Sequence, residues 1–230
     1  MAQSYGDPLS WSMGCRQLTR PRSAPYHQGF MGDDRLKEIT IAISGASGSA
    51  CARRLIAAVT AHPDVGQVNC VMSASALMVA RVELGPADAS MGTMLEILSG
   101  GSAKVRWFEE SNVGGTIASG SHIIEGMAIV PCSTGTLGAI ASGATRNLIH
   151  RAAEVALKER RRLILGVREA PLSLIHIENM AIVTRAGAIV LPITPTFYHH
   201  PRTIEDVIDR YVDRVMDHLG LPHTGQRWKG

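Results

Sequence analysis

The chain has 230 residues, enough for one well-buried core, and its 45% hydrophobic and 19% charged content is ordinary for a water-soluble globular domain. A net charge of +3, with no concentrated basic stripe and no reading motif, argues against nucleic-acid recognition. Four scattered cysteines (Cys15, Cys51, Cys70 and Cys132) argue against a zinc site or disulfide framework, and no apolar run reaches membrane length, so a reducing cytoplasm is the expected location.

Residues 1–37 are rich in Pro, Ser, Arg and Gly and lack sustained periodicity. They read as a flexible extension or an upstream-start artefact with Met31 as the alternative start, ahead of a docking arm for a neighbouring subunit. The folded domain is expected over 38–230. A β-branched run at 39–44 ends in GASGS, and a helical pattern follows over 49–62. Residues 68–72 form a second strand ending at Ser73, followed by helices over 74–83 and 87–98 and a third strand at 105–108. A Gly- and Ser-rich loop covers 109–121. A buried strand at 127–130 closes on PCSTGT, and a strong helix spans 147–160. Strands at 163–167 and 188–191 flank a helix over 175–185, and an amphipathic helix over 203–219 completes the series.

Apolar strands alternating with helices imply a parallel sheet covered on both faces with right-handed crossovers. The expected fold class is α/β, a single doubly wound domain of flavodoxin-like or Rossmann-like form. In such sheets ligands bind beyond the carboxyl ends of the strands.

Several strand ends carry suitable chemistry. Gly45, Ala46, Ser47 and Gly48 stand between strand and helix, where exposed amides can hold an anion, although neither GxGxxG nor a P-loop lysine is present. Ser73 and the run Ser133, Thr134, Gly135 and Thr136 occupy equivalent ends. Helix capping accounts for some of these hydroxyls, and all three sites together favour a ligand. Arg168 and Glu169 follow a strand of central character, either as a structural ion pair or as a phosphate ligand beside a proton-relaying carboxylate. Arg151 and Lys158 are two turns apart on one helix. Tyr198 and Arg214 are placed to reach a phosphate. His199 with His200, and His176 with Glu178, lack the further ligands a metal centre needs. Cys132 lacks an evident base and reads as a small buried side chain.

The motifs ISGASG (43–48), VMS (71–73), ASGS (118–121), PCSTGTL (131–137), NLIHRAAEVALKERR (147–161), REAP (168–171) and FYHHP (197–201), in this order, closely resemble the flavin prenyltransferase family. The resemblance covers 38–228. It implies transfer of the dimethylallyl group of dimethylallyl phosphate to N5 and C6 of reduced FMN. The product, prenylated FMN, is the cofactor of a partner decarboxylase, and no metal is required. It also implies a homododecamer with active sites at subunit interfaces.

By the same resemblance Gly45, Ala46, Ser47, Ser73, Ser133, Thr134, Gly135, Thr136 and Arg168 bind FMN, with the GASG turn on the phosphate side. Tyr198, Arg214, Arg151, Lys158 and Trp228 bind the prenyl donor, with Arg151 and Lys158 open to service in a neighbouring subunit. Glu169 and Glu83, with Lys158 and Tyr198, are the implied catalytic groups. Two positions depart from the pattern: Val113 stands where several members carry Trp, and Cys51 where Tyr is common. Two other functions compete, an FMN-binding accessory subunit of a phenolic-acid-type decarboxylase and a flavoprotein cysteine decarboxylase.

Overall fold

The computed structural model describes residues 35–223. The expected extension therefore lies outside the described residues apart from 35–37, and Lys37 already belongs to the first strand.

Six strands form one sheet in the order β3-β2-β1-β4-β5-β6, and every pair is parallel. They are β1 (Lys37–Ile43), β2 (Val65–Met72), β3 (Val105–Phe108), β4 (Gly126–Cys132), β5 (Arg162–Val167) and β6 (Ile189–Val190). This is the Rossmann order rather than the five-stranded flavodoxin order. Period-two alternation divides the core between the two faces. Ile39, Ile41 and Ile43 pack with Leu55, Val59, Val215 and Leu219 on one side. Ala42 packs with Met127, Ile129, Leu148, Ala152 and Leu165 on the other.

The first face is covered by α1 (Ser49–Ala61), α3 (Met91–Ser99) and α7 (Ile204–Leu219), with α2 (Ala74–Glu83) attached through Ala76 and Ala80. The second is covered by α4 (Thr134–Ser142), α5 (Leu148–Lys158) and α6 (Leu174–Ala186). Helix α4 was not expected. Its sequence, TGTLGAIAS, has two glycines and two threonines and little amphipathic contrast. It forms because Ser133 caps its first turn and Leu137 and Ile140 are buried.

The chain turns from β1 toward β2 and from β4 toward β5 in opposite directions. The topological switch point therefore lies above the neighbouring carboxyl ends of β1 and β4, where the GASG and STGT turns meet.

Candidate active site

Ser44 joins the two switch-point loops. Its buried Oγ donates to the carbonyl of Pro131 at 3.1 Å and accepts from the amide of Ser133 at 2.8 Å. The next residue, Gly45, allows α2 to press on the turn: a Cβ there would lie 2.5 Å from Ser75 Oγ. Gly48 caps α1 with φ +126°, a conformation in which a side chain is strained, and its Cβ would meet Ile193 at 3.1 Å and Pro131 at 3.5 Å. The loops after β1, β4 and β6 thus meet at one point.

The amide cradle of α1 already holds an anion. Glu83, the last residue of α2, accepts from Gly48 N at 3.1 Å and from Ser49 N at 2.7 Å. Partial burial pushes its carboxyl up, but hydrogen bonds from Ser47, Ser49 and Gly48 outweigh that and hold it below the usual carboxylate range. One amide of the GASG turn, that of Gly48, and the adjoining amide of Ser49 are thus engaged by a carboxylate of the same chain.

Ser73 and Ser133 both act as caps. Ser73 Oγ accepts from Ala76 N at 3.1 Å, and Ser133 Oγ accepts from Thr136 N at 3.2 Å. Capping therefore explains two of the three hydroxyl sites, while Ser47 makes no cap to α1. At α4 the amides of Thr134 and Gly135 have no acceptor among the described residues. Two such amides at a helix N-terminus form a ready anion site.

Arg168 and Glu169 lie at the same edge and are exposed. Arg168 N donates to Cys132 O at 3.2 Å, and Glu169 Oε1 accepts from Ala170 N at 3.0 Å. No ion pair joins the two side chains among the described residues, so the alternative of a structural pair finds no support there. Both charges face outward because the loop leaves the sheet there.

The remaining cations do not gather at this edge within one subunit. Helix α5 descends from the carboxyl edge, so Lys158 stands at its far end, paired with Glu159 and close to Gly120. Arg151 pairs with Glu154 at 2.9 Å, and Arg214 with Asp217 at 2.8 Å. Tyr198 is exposed, with its ring 4.3 Å from that of His199. Trp228 lies outside the described residues. His176 completes the capping box of α6, and no metal-binding group occurs among the described residues. Burial pushes the Cys132 thiol up to about 12, which removes it as a nucleophile.

Glu110 was not foreseen. Directly beyond β3, it accepts from Ala74 N at the start of α2 and from Asn147 Nδ2 at the start of α5. A single carboxylate after a strand carries no pattern by which sequence could single it out.

A sequence profile described as Flavoprotein matches residues 31–216. The flavin prenyltransferase UbiX of Pseudomonas aeruginosa is 41% identical over 191 residues, covering 81% of this chain and 90% of its own. The crystal structure of AnUbiX (PadA1), in complex with FMN and dimethylallyl pyrophosphate, is 37% identical with a TM-score of 0.76 over 85% of this chain and 99% of its own. A dodecameric FMN-dependent UbiX-like decarboxylase from Escherichia coli O157:H7 is 36% identical with a TM-score of 0.75, covering 84% and 100%. By contrast, the FMN-dependent cysteine decarboxylase TvaF shares 13% identity at a TM-score of 0.52, a likeness of fold alone. No helix among the described residues is long and apolar enough to cross a membrane.

Proposed function

Because the chain belongs to the flavin prenyltransferases of the flavoprotein family, we propose that it transfers a dimethylallyl group from dimethylallyl phosphate to reduced FMN, making prenylated FMN. The observation that carries this reading is the meeting of three strand-end loops at the switch point, with α4 amides left over to take a phosphate. The donor set fits FMN. The amides of Thr134 and Gly135 suit its phosphate, with Thr136 beside them, while Gly45, Ala46, Ser47, Ser73 and Arg168 suit the polar edge of the ring. Since Glu83 fills the α1 amides, the phosphate belongs at α4 and the GASG turn beside the ring.

Reduced flavin supplies the nucleophilic nitrogen and carbon for the two new bonds. The chain's own groups do the rest. Cations from Arg151, Lys158, Arg214 and the hydroxyl of Tyr198 hold the departing phosphate, lowering the cost of the charge that develops there. The outward carboxylate of Glu169 accepts and returns protons, while Glu83, kept ionised by α1, contributes a fixed negative charge beside the site. The loops fix the two ligands relative to each other and exclude water.

One subunit does not bring all these groups together, and the site is read as completed by neighbouring copies in a dodecamer, with Trp228 covering it. Exposed apolar side chains beside Glu169, among them Leu172, Leu174, Ile175 and Phe197, support burial of this edge on assembly. The product serves a separate decarboxylase. The buried free thiols Cys51, Cys70 and Cys132 accord with a reducing cytoplasm.

The test is anaerobic incubation of the full chain with reduced FMN and either dimethylallyl phosphate or the diphosphate, followed by mass analysis of the released flavin. A flavin heavier by one isoprene unit is expected with the monophosphate. Bound but unaltered flavin with both donors would overturn the reading in favour of an accessory FMN-binding subunit.

A further inference from the structure

Three hydrogen bonds converge on Glu110 from the starts of two helices. Its Oε2 accepts from Ala74 N, the first amide of α2, at 2.9 Å. Its Oε1 accepts from Nδ2 of Asn147, the N-cap of α5, at 2.6 Å. Its backbone carbonyl accepts from Leu148 N, the first amide of α5, at 2.9 Å. A carboxylate is well suited to both places, because each helix start presents unsatisfied donors and partial positive charge.

The two helices carry groups from different halves of the proposed site. Helix α2 starts next to Ser73, assigned to the flavin side, and ends at Glu83, one of the implied catalytic groups. Helix α5 carries Arg151 one turn beyond Asn147, and Arg151 is assigned to the donor phosphate. Asn147 is saturated in its present orientation: its Oδ1 accepts from His150 N at 3.0 Å, so its amide group faces the carboxylate.

We propose that Glu110 is a positioning residue, a clamp that sets the flavin-binding start of α2 against the donor-binding start of α5. This rests on the transferase reading for the identity of the two ligands. Glu110 itself touches neither.

The two arms of the clamp can be separated by substitution. Asn147→Asp keeps the cap to His150 but puts a carboxylate against Glu110, so it breaks the side-chain arm to α5 and leaves the bond to Ala74 and the backbone bond from Leu148 N. Adding Glu110→Gln reverses the donor and acceptor across that pair: the Gln amide group donates to the new Asp, and its oxygen still accepts from Ala74 N. Glu110→Ala removes both side-chain arms and leaves only the backbone bond from Leu148 N.

The experiment measures FMN Kd by titration, KM for dimethylallyl phosphate by turnover, and Tm, all on the full chain. Asn147→Asp is expected to raise the donor KM about tenfold with FMN Kd unchanged, the scale of one lost charge-assisted hydrogen bond. The double variant recovers most of that loss, and Glu110→Ala weakens both ligands. A fall in Tm with no separation between donor KM and FMN Kd, or no recovery in the double variant, would overturn the clamp. If the wild type binds FMN but consumes no donor, the transferase reading fails separately. The clamp is then decided by FMN Kd, which Glu110→Ala must weaken and Asn147→Asp must spare.

Discussion

The carboxylate of Glu83 lies 2.7 Å from the amide of Ser49, so the last residue of α2 caps the first turn of α1. Hydrogen bonds from this turn hold its carboxyl below the ordinary range despite partial desolvation. A carboxyl group depressed in the folded state adds stability that is present above its unfolded pKa and is lost as pH falls through the folded value. Glu83→Gln is therefore expected to cost about 1 kcal/mol at neutral pH, a modest figure because the group is exposed. The gap to the wild type should narrow as pH falls below the unfolded glutamate value of about 4.3 and close only once the depressed folded value is passed. Denaturant melts across that range decide the matter, and a gap independent of pH would show that ionisation of Glu83 contributes nothing.

Two glycines hold the switch-point turn open for different reasons. At Gly45 an added Cβ would strike Ser75 Oγ at 2.5 Å and approach its backbone carbon at 3.3 Å, so Gly45→Ala must push α2 away. A cost of about 1–3 kcal/mol and weaker FMN binding are expected. Ser75→Gly in the same chain should restore part of both by clearing the side chain that is struck. At Gly48 the φ of +126° is the obstacle, and Gly48→Ala should cost at least about 1 kcal/mol with no rescue from Ser75→Gly. Rescue of both variants, or of neither, in melts and FMN titrations would contradict this division.

The sheet was largely legible because the apolar, β-branched strand runs and the strand-end small residues are local signals. Helix α4 was not legible, since its glycines and threonines have low intrinsic helix propensity and only the Ser133 cap and sheet packing overrule them. The strand-end position of Arg168 and Glu169 could be read, but their exposure could not. Whether a charge after a central strand turns inward depends on the path of the loop. The bonds from Glu110 to Ala74 and Asn147 join residues 36 and 37 positions apart, and no periodicity encodes them.

The cysteines give a chemical test of the site. Burial pushes Cys132 up to about 12, and burial with the nearby Glu83 charge pushes Cys51 up to about 11. Neither forms appreciable thiolate near neutrality, so neither attacks an electrophile readily. Native protein treated with iodoacetamide at mildly alkaline pH should keep these two thiols unmodified in a peptide map and retain turnover. Cys132→Ala should likewise retain turnover, although a smaller side chain in the core lowers Tm. Loss of turnover without loss of FMN binding in that variant would instead add Cys132 to the catalytic groups.

Lys158 offers the sharpest test of how the site is assembled. It ends α5 eleven residues after the Asn147 cap, about 16 Å along the axis from the carboxyl edge where Ser133 and Glu169 stand. A lysine side chain does not bridge that distance, and Lys158 is engaged with Glu159 beside Gly120. If it binds the donor phosphate, it does so in another subunit's site. Lys158→Ala and Glu169→Gln should then each abolish most turnover alone. Oligomers co-assembled from the two kinds of subunit should regain part of it, because some interfaces unite an intact Lys158 with an intact Glu169. Mixed oligomers as inactive as their parents would place both residues in the same subunit's site or remove Lys158 from the chemistry. The result should not depend on FMN affinity, since neither residue is among the proposed FMN contacts, and equal FMN Kd in parents and mixtures is the control that makes recovered turnover a statement about subunit geometry.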